Sequence, residues 1–152
     1  MNRRTLITTG LAGLVAPTLA RATDGSVVEE VATPPIFLEE PEPLEAYLWR
    51  NRPVVIFADT ADDLLFRRQM ELLAEGETML LERDVVVLTD TDPAARGPLR
   101  AKLRPRGFQL VLIGKDGGVK LRKPRPWTVR ELSRTIDKMP MRQQEIRQRW
   151  ER

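Results

Sequence analysis

The chain of 152 residues contains no cysteine and no histidine. Without cysteine it cannot exchange disulfides, form a reactive thiolate or hold an iron–sulfur or thiolate-bound zinc centre. Without histidine it also lacks the commonest general base and the commonest metal ligand of proteins. Its two serines, Ser26 and Ser133, have no imidazole to activate them, which argues against a serine hydrolase. These absences make an enzymatic function the weaker expectation.

The first 22 residues have the pattern of an export signal. Arg3 and Arg4 form a basic start, residues 5–19 are weakly apolar, and an A-x-A pattern ends at Ala22. The apolar run is too short and too interrupted to span a bilayer, and the pattern after it predicts cleavage behind Ala22. The paired arginines fit a twin-arginine signal and an ordinary secretion signal equally. We therefore expect a periplasmic or secreted protein with no transmembrane anchor after cleavage.

The formal net charge is +3, but the charge is divided between two halves of the chain. Residues 23–95 carry 17 acidic and 5 basic side chains, whereas residues 96–152 carry 17 basic and 5 acidic ones. The net positive charge comes from the arginines of the expected signal, so the mature chain is neutral. Its net charge therefore does not indicate nucleic-acid binding. Two interpretations stay open: a surface for a charged partner, or two halves that fold together and neutralise each other.

Short apolar runs predict four strands after an acidic, Pro-rich leader at residues 23–43. Residues 53–58, 84–89 and 108–113 are β-branched apolar runs typical of strands that are buried on both faces. An Asp-Gly turn at residues 114–118 predicts a hairpin that returns as a fourth strand, at residues 119–122.

Four helices are predicted from apolar spacing and capping residues, at residues 62–82, 92–103, 128–139 and 141–152. Gly76 lies in the middle of the first and predicts a bend or break. A capping box from Thr60 to Asp63 is expected to start it, while Asp92 and Thr128 are expected to start the next two. The last helix is polar and basic, with only Ile146 and Trp150 to bury.

The resulting order, β-α-β-α-β-β-α, is that of an α/β thioredoxin-like fold. Such a fold is a three-layer sandwich around a mixed four-stranded sheet, because the first two strands are joined by a helix and the last two by a tight turn. We expect one domain at residues 44–140, followed by a basic C-terminal helix or tail at residues 141–152.

Three segments resemble the motifs of a bacterial family classed as a domain of unknown function. They are residues 51–55 (NRPVV), 112–122 (LIGKDGGVKLR) and 136–145 (IDKMPMRQQE). The chain is similar to this family from about residue 44 to residue 147. Related domains occur in sushi-repeat-containing proteins and in a coiled-coil-domain protein of the extracellular matrix. The resemblance implies an exported, thioredoxin-like domain, and it implies no activity for any residue.

Both parts of a thioredoxin redox site are missing from this chain. Residues 59–63 follow the first strand, where a redox thioredoxin has its C-x-x-C pair, and they contain no cysteine. Gln109 stands at the third strand, where a redox thioredoxin has its cis-proline. The sequence therefore predicts a non-redox member of this fold.

The first candidate site is acidic and consists of Asp59, Asp62, Asp63, Asp90 and Asp92. These residues follow the first two strands, and parallel strands end at the same edge of a sheet, where α/β proteins often bind ligands. Clustered carboxylates suit Mg²⁺ or Ca²⁺. The alternative is that these acids cap helices, where the helix dipole favours them.

The second candidate site is the hairpin, whose candidate partner-binding residues are Lys115, Asp116, Lys120, Arg122 and Lys123. A cationic face of this kind suits a polyanion, an acidic partner or a headgroup surface, although it also suits a solvated surface that balances the acidic half. The hairpin has no interleaved aromatic residues for nucleic-acid bases, and its Gly-Lys pair lacks the surroundings of a phosphate loop.

The leading hypothesis is an exported, non-redox, thioredoxin-like domain that binds an unknown protein partner or the cell envelope. The main alternative is a cysteine-independent enzyme or a Mg²⁺- or Ca²⁺-binding domain that uses the carboxylates. A purely structural accessory protein is the third. No other cofactor is expected.

Overall fold

The computed structural model describes residues 36–38 and 42–152. Its elements are strand β1 (Arg52–Phe57), helices α1 (Leu64–Glu75) and α2 (Glu77–Leu81), strand β2 (Val85–Asp90), helix α3 (Pro98–Leu103), strands β3 (Gln109–Ile113) and β4 (Val119–Lys123), and helices α4 (Val129–Asp137) and α5 (Pro140–Trp150). Short 3-10 turns lie at Leu44–Tyr47 and Pro93–Ala95. All four predicted strands are present, and their ends differ from the prediction by one residue at most. The predicted export signal lies outside the described residues.

The strands form one mixed sheet in the order β2-β1-β3-β4. β1 and β2 run parallel, with Val54 opposite Val87. β3 runs antiparallel to β1, so that Leu112 near its end lies opposite Val54 near the start of β1. β3 and β4 form the predicted hairpin. The sheet edge where β1 and β2 begin is therefore the edge where β3 ends and the hairpin turns.

Alternating side chains of the strands build a core on each face of the sheet. One cluster joins the strands to α1, α2 and α4 and includes Val54, Ile56, Leu73, Leu80, Leu110, Leu112, Leu132 and Ile136. The other joins them to α3 and the first 3-10 turn and includes Tyr47, Val55, Phe57, Leu88, Leu99, Leu103, Val111 and Ile113. The period of two along β1 thus places helices on both faces, as the predicted three-layer order requires.

The two outermost strands of the sheet, β2 and β4, are both protected along their free sides. Val87 of β2 donates its N–H to the carbonyl of Ile36 and accepts a hydrogen bond from Leu38 N–H, so residues 36–38 cover one edge. β4 forms the other edge and carries Lys120, Arg122 and Lys123. Backbone pairing and charged side chains are two ways in which proteins prevent edge strands from joining other chains.

Gly76 breaks the first predicted helix into α1 and α2. A Cβ atom at this position would lie 2.6 Å from the Cβ of Val129, the first residue of α4. α4 can therefore pack this closely only because Gly76 has no side chain. The cap of α1 differs from the prediction. Asp63 itself is the N-cap, since its carboxylate accepts from the N–H groups of Leu65 and Phe66, and the helix begins later than a Thr60 cap would require.

The prediction of a single helix at residues 92–103 is wrong. A 3-10 turn capped by Asp92 ends at Arg96, which has a left-handed backbone with φ of 47°, and α3 then begins at Pro98. Proline disfavours helical geometry in the residue before it, which separates the two pieces. No helix in the described part of the chain is long and apolar enough to cross a membrane.

Candidate functional site

The acidic candidate lies at the sheet edge where β1 and β2 end, since Phe57 pairs with Asp90 there. Asp63 caps α1, and Asp92 accepts from the N–H groups of Ala94 and Ala95. Asp59 and Asp62 are exposed in the loop after β1. Two of the five predicted metal ligands therefore have the capping role that was the alternative interpretation.

Asp90 is neutralised by a basic residue of α3. Its carboxylate accepts from Arg100 Nε at 2.8 Å, and the same guanidinium donates to the carbonyl of Ala58 at 2.6 Å. Arg100 also lies 5.4 Å from the ring centre of Phe57. Among the residues that the structure describes, no three acidic side chains come together as a metal site would require. The structure therefore does not assemble the five predicted carboxylates into a metal centre.

The opposite edge of the sheet, where the strands begin, brings together all three segments that resemble family motifs. We call it the hairpin edge: the start of β1, the turn at residues 114–118 with Lys120, and the α4–α5 junction with the first turns of α5. Arg52 is the first residue of β1, Lys115 lies in the turn, and Glu145 lies on α5. These positions are far apart in the chain: the sheet topology brings Lys115 to the start of β1, and the packing of α5 brings Glu145 there.

A charged cluster holds the hairpin edge together; it consists of Arg52, Arg83, Asp84, Lys115, Asp137, Arg142 and Glu145. At its centre, Arg52 is 1% exposed and donates to both oxygens of Glu145, at 2.8 and 3.3 Å. The same guanidinium donates to the carbonyl of Arg83 at 2.9 Å. Such pairing and hydrogen bonding is what a buried cation needs to offset its lost hydration.

Lys115 joins the hairpin turn to this cluster. Its ammonium lies 2.7 Å from Asp84 and 2.8 Å from Glu145, and its side chain is 11% exposed. Glu145 also accepts from Arg142, which is buried and contacts Asp137. α5 is thus attached through charge. Trp150, one of the two apolar side chains that this helix had available to bury, is 86% exposed.

The cluster changes the acidity of Glu145. Burial alone would raise the pKa of its carboxyl, but the hydrogen bonds from Arg52 and Lys115 outweigh this effect and lower the pKa from 4.5 to about 2. Glu145 is therefore ionised at any physiological pH, and it keeps Arg52 and Lys115 paired.

The hairpin turn has a geometry that depends on its glycines. Gly117 has a φ of 79°, which side chains rarely adopt, and a Cβ on Gly114 would lie 2.6 Å from Lys120 Cε. Lys120 and Asp116 form an ion pair at 2.8 Å across the turn. The hydrogen bond from Lys120, aided by that from Gly118 N–H, lowers the pKa of Asp116.

A cavity of about 220 Å³ opens between the turn and the start of α5. We call it the hairpin pocket; Arg52, residues 114–116, Lys120 and residues 139–141 line it. A second cavity, of about 230 Å³, lies on the other side of the turn against Leu48 and Pro53. The turn is therefore a ridge between two cavities.

The structure brings together only three of the five hairpin residues predicted to bind a partner. Lys115, Asp116 and Lys120 line the hairpin pocket. Arg122 instead donates to the carbonyl of Leu103 at 2.8 Å. Lys123 lies at the far end of β4, where its ammonium is 4.7 Å from the ring centre of Trp127. Sequence reasoning missed Arg52 and Glu145, although a charge at the start of a buried apolar strand was a usable signal.

The sequence profile of the family described as "Domain of unknown function (DUF4174)" matches residues 43–145 of the chain. A comparison with curated proteins found no match. Among solved structures, the chain is similar to Plasmodium yoelii Prx1a, with 14% identity, a TM-score of 0.54, and 66% of this chain and 80% of that one covered.

Two further solved structures are similar to the chain. The reduced 2-Cys peroxiredoxin of Plasmodium vivax has 14% identity and a TM-score of 0.52, with 66% of this chain and 84% of that one covered. Thioredoxin peroxidase I of Plasmodium yoelii has 16% identity and a TM-score of 0.51, with 66% and 79% covered. At these identities the likeness concerns the fold alone, and it confirms the predicted thioredoxin-like arrangement.

Proposed function

The chain belongs to the DUF4174 family, and from that premise we propose that it is an exported domain that binds a protein partner at the hairpin edge. It has a thioredoxin-like fold without cysteine, so the fold serves as a scaffold and carries no thiol chemistry. The resemblance to domains of extracellular matrix and sushi-repeat-containing proteins supports binding outside the cytoplasm. The signal pattern at residues 1–22 supports export.

One observation carries the choice of surface: three sequence-distant motif segments converge on the hairpin edge and leave cavities on both sides of its turn. The charged cluster makes this surface rigid, because Lys115 and Glu145 tie the turn and α5 to the sheet. A rigid surface loses little conformational freedom on binding, which favours affinity.

The opposite edge of the sheet, where β1 and β2 end, supports this choice because it has no thiol. In the redox members of the fold it carries the thiols, whereas here residues 59–63 contain no cysteine and Asp63 caps α1. Asp90 forms an ion pair with Arg100. Three of the five acids at that edge, Asp63, Asp90 and Asp92, therefore have structural partners, whereas Asp59 and Asp62 are exposed.

The proposal is tested by expressing the full chain with a C-terminal tag, cross-linking cells and purifying the tagged protein from the periplasmic fraction. We expect a mature N-terminus at Thr23 and one partner in stoichiometric yield. Lys120→Glu reverses a charge of the hairpin pocket without touching the buried cluster, and it should abolish capture. Arg68→Glu, at an exposed position of α1, is the matched control and should leave capture unchanged.

Absence of the protein from both the periplasmic fraction and the culture medium would contradict export. Capture that is equally strong with Lys120→Glu would show that the partner uses another surface.

A further inference from the structure

We propose that the hairpin pocket binds a carboxylate on a short apolar stem, as carried by an acidic side chain of the partner. This inference rests on the proposed function and names the chemistry of its contact. It follows from the charges that face the cavity, the freedom of Lys120, and the shape of the walls.

The pocket presents positive charge although the whole cluster is nearly balanced. Three cationic side chains line it, those of Arg52, Lys115 and Lys120, against one carboxylate, that of Asp116. Glu145 and Asp84, which neutralise Arg52 and Lys115, are not among the lining residues. An entering anion therefore meets three cations and one carboxylate at the walls of the pocket.

Lys120 is the cation that is free to turn toward a ligand. Its ion pair with Asp116 has an i,i+4 spacing on an exposed turn, with the two side chains 36% and 42% exposed. Exposed pairs of this kind contribute little to stability, so exchanging Asp116 for another carboxylate costs little. Arg52 and Lys115 are held in place and supply a fixed field.

The start of α5 adds to this field. α5 has eleven residues, and its N-cap, Met139, offers no side-chain acceptor to the N–H groups of the first turn. The positive end of a helix dipole favours a nearby anion. Here it reinforces cations that already line the cavity.

The walls of the pocket favour an anion that carries an apolar stem. Residues 139–141 form an apolar side opposite the cations, and the cavity of about 220 Å³ has room for a small organic group. Gly114 adds no side chain to this space, and a Cβ there would lie 2.6 Å from Lys120 Cε. The cations already hold carboxylates at 2.8 Å, from Asp116 to Lys120 and from Glu145 to Lys115. A carboxylate on methylene groups is thus the ligand class that matches both walls.

The inference is tested by nuclear magnetic resonance on the intact ¹⁵N-labelled protein, with butyrate as the probe. Butyrate should shift the amide signals of residues 114–120 and of Met139, Met141 and Arg142 in a saturable way. Butyramide, which has the same shape without charge, should not. Lys120→Met should weaken butyrate binding about tenfold, because it removes one charged hydrogen bond and keeps most of the stem.

Lys102→Met is the matched control, since Lys102 is an exposed lysine paired with one carboxylate, that of Glu45, outside the pocket. It should leave the affinity for butyrate unchanged. Equal shifts with butyramide, no shifts at tens of millimolar butyrate, or full affinity in Lys120→Met would each overturn the inference. Tighter binding of inorganic phosphate than of butyrate would also overturn it, in favour of a phosphate site.

The two proposals fail separately. If butyrate does not bind but capture of the partner still requires Lys120, the hairpin edge is the binding surface and only its assigned chemistry is wrong. If butyrate binds but no partner is captured, the pocket takes a free carboxylate and the protein-binding function is wrong.

Discussion

Gly76 shows how a single residue decides the path of the chain. A glycine inside a helix costs about 1 kcal/mol relative to alanine, so helix propensity argues against it. Gly76 is needed because of its neighbour in the fold: Val129, the first residue of α4, would lie 2.6 Å from an added Cβ. Close packing of α4 onto the α1–α2 junction therefore requires the missing side chain.

Gly76→Ala should reduce the free energy of unfolding by about 1–3 kcal/mol, because overpacking outweighs the gain in helix propensity. Urea denaturation measures it, with an unchanged slope indicating a native-state effect. Gly97→Ala is the control, since a Cβ there meets only ordinary contact, with Asp90 at 3.6 Å. A Gly76→Ala variant as stable as the original chain would show that α4 yields easily.

At the scale of secondary-structure elements, α5 differs from the other helices in how it is held. α1, α2 and α4 place buried apolar residues in the core, whereas Arg142 is the buried residue of α5 and Ile146 is half-buried. The attachment of α5 runs through Glu145, which contacts β1 through Arg52 and the hairpin through Lys115. One carboxylate therefore couples three elements.

Glu145→Gln should lower the free energy of unfolding by about 3 kcal/mol, because it leaves Arg52 buried without its anionic partner. Amide hydrogen exchange in α5 should accelerate more than exchange in the sheet. Glu151→Gln, at the exposed end of the same helix, should change stability by less than about 0.5 kcal/mol. Equal effects of the two substitutions would mean that apolar contacts hold α5.

At the scale of the whole molecule, ion pairs join the acidic and the basic half of the chain. The pairs are Glu45 with Lys102, Arg52 with Glu145, Arg83 with Asp137, Asp84 with Lys115, and Asp90 with Arg100. The charge asymmetry along the sequence is thus partly neutralised within the fold. What remains at the surface is local, as in the hairpin pocket.

Stability should decrease as the solution is acidified. The pKa of Glu145 is lowered from 4.5 to about 2 in the folded protein, so its contribution is fully present above pH 4.5 and is lost as the pH falls toward 2. Burial raises the pKa of Asp137, but Arg83 and Arg142 together lower it, which acts in the same direction as the shift of Glu145. For Glu145 the loss amounts to roughly 3 kcal/mol.

Urea denaturation from neutral pH down to about pH 3 measures this effect. The Glu145→Gln variant should show a clearly flatter dependence, because its side chain does not titrate. A stability that is constant over this range, or equally steep in the variant, would contradict the role assigned to Glu145.

The candidate sites show why sequence reasoning succeeded locally and failed at a distance. The loss of redox chemistry was predictable, since it needs only the absence of cysteine. The metal prediction placed the acids after β1 and β2 at the correct edge of the sheet. It did not foresee that Arg100 of α3 forms an ion pair with Asp90. At the hairpin, Lys115 and Lys120 were predicted as binding residues, and nothing in the sequence indicated that one is buried and the other free.

Export, the identity of the partner and a metal requirement stay predictions. The first depends on residues 1–22, which lie outside the described part of the chain. The identity of the partner depends on the capture experiment.

The sequence by itself determined the four strands, the hairpin turn, the capping of α4 and the absence of thiol chemistry. Each of these depends on side chains that are neighbours in the chain or on residue types that are missing, so no distant contact was needed to infer them. Only the tertiary structure decided which charges are paired and which face a cavity. Arg52 and Glu145 are 93 positions apart, and they meet where α5 lies beside the start of β1, the same end of the sheet to which the antiparallel β3 returns Lys115. Burial then converts their pairing into a fixed part of the fold, and it leaves Lys120 as the charge that can change partners.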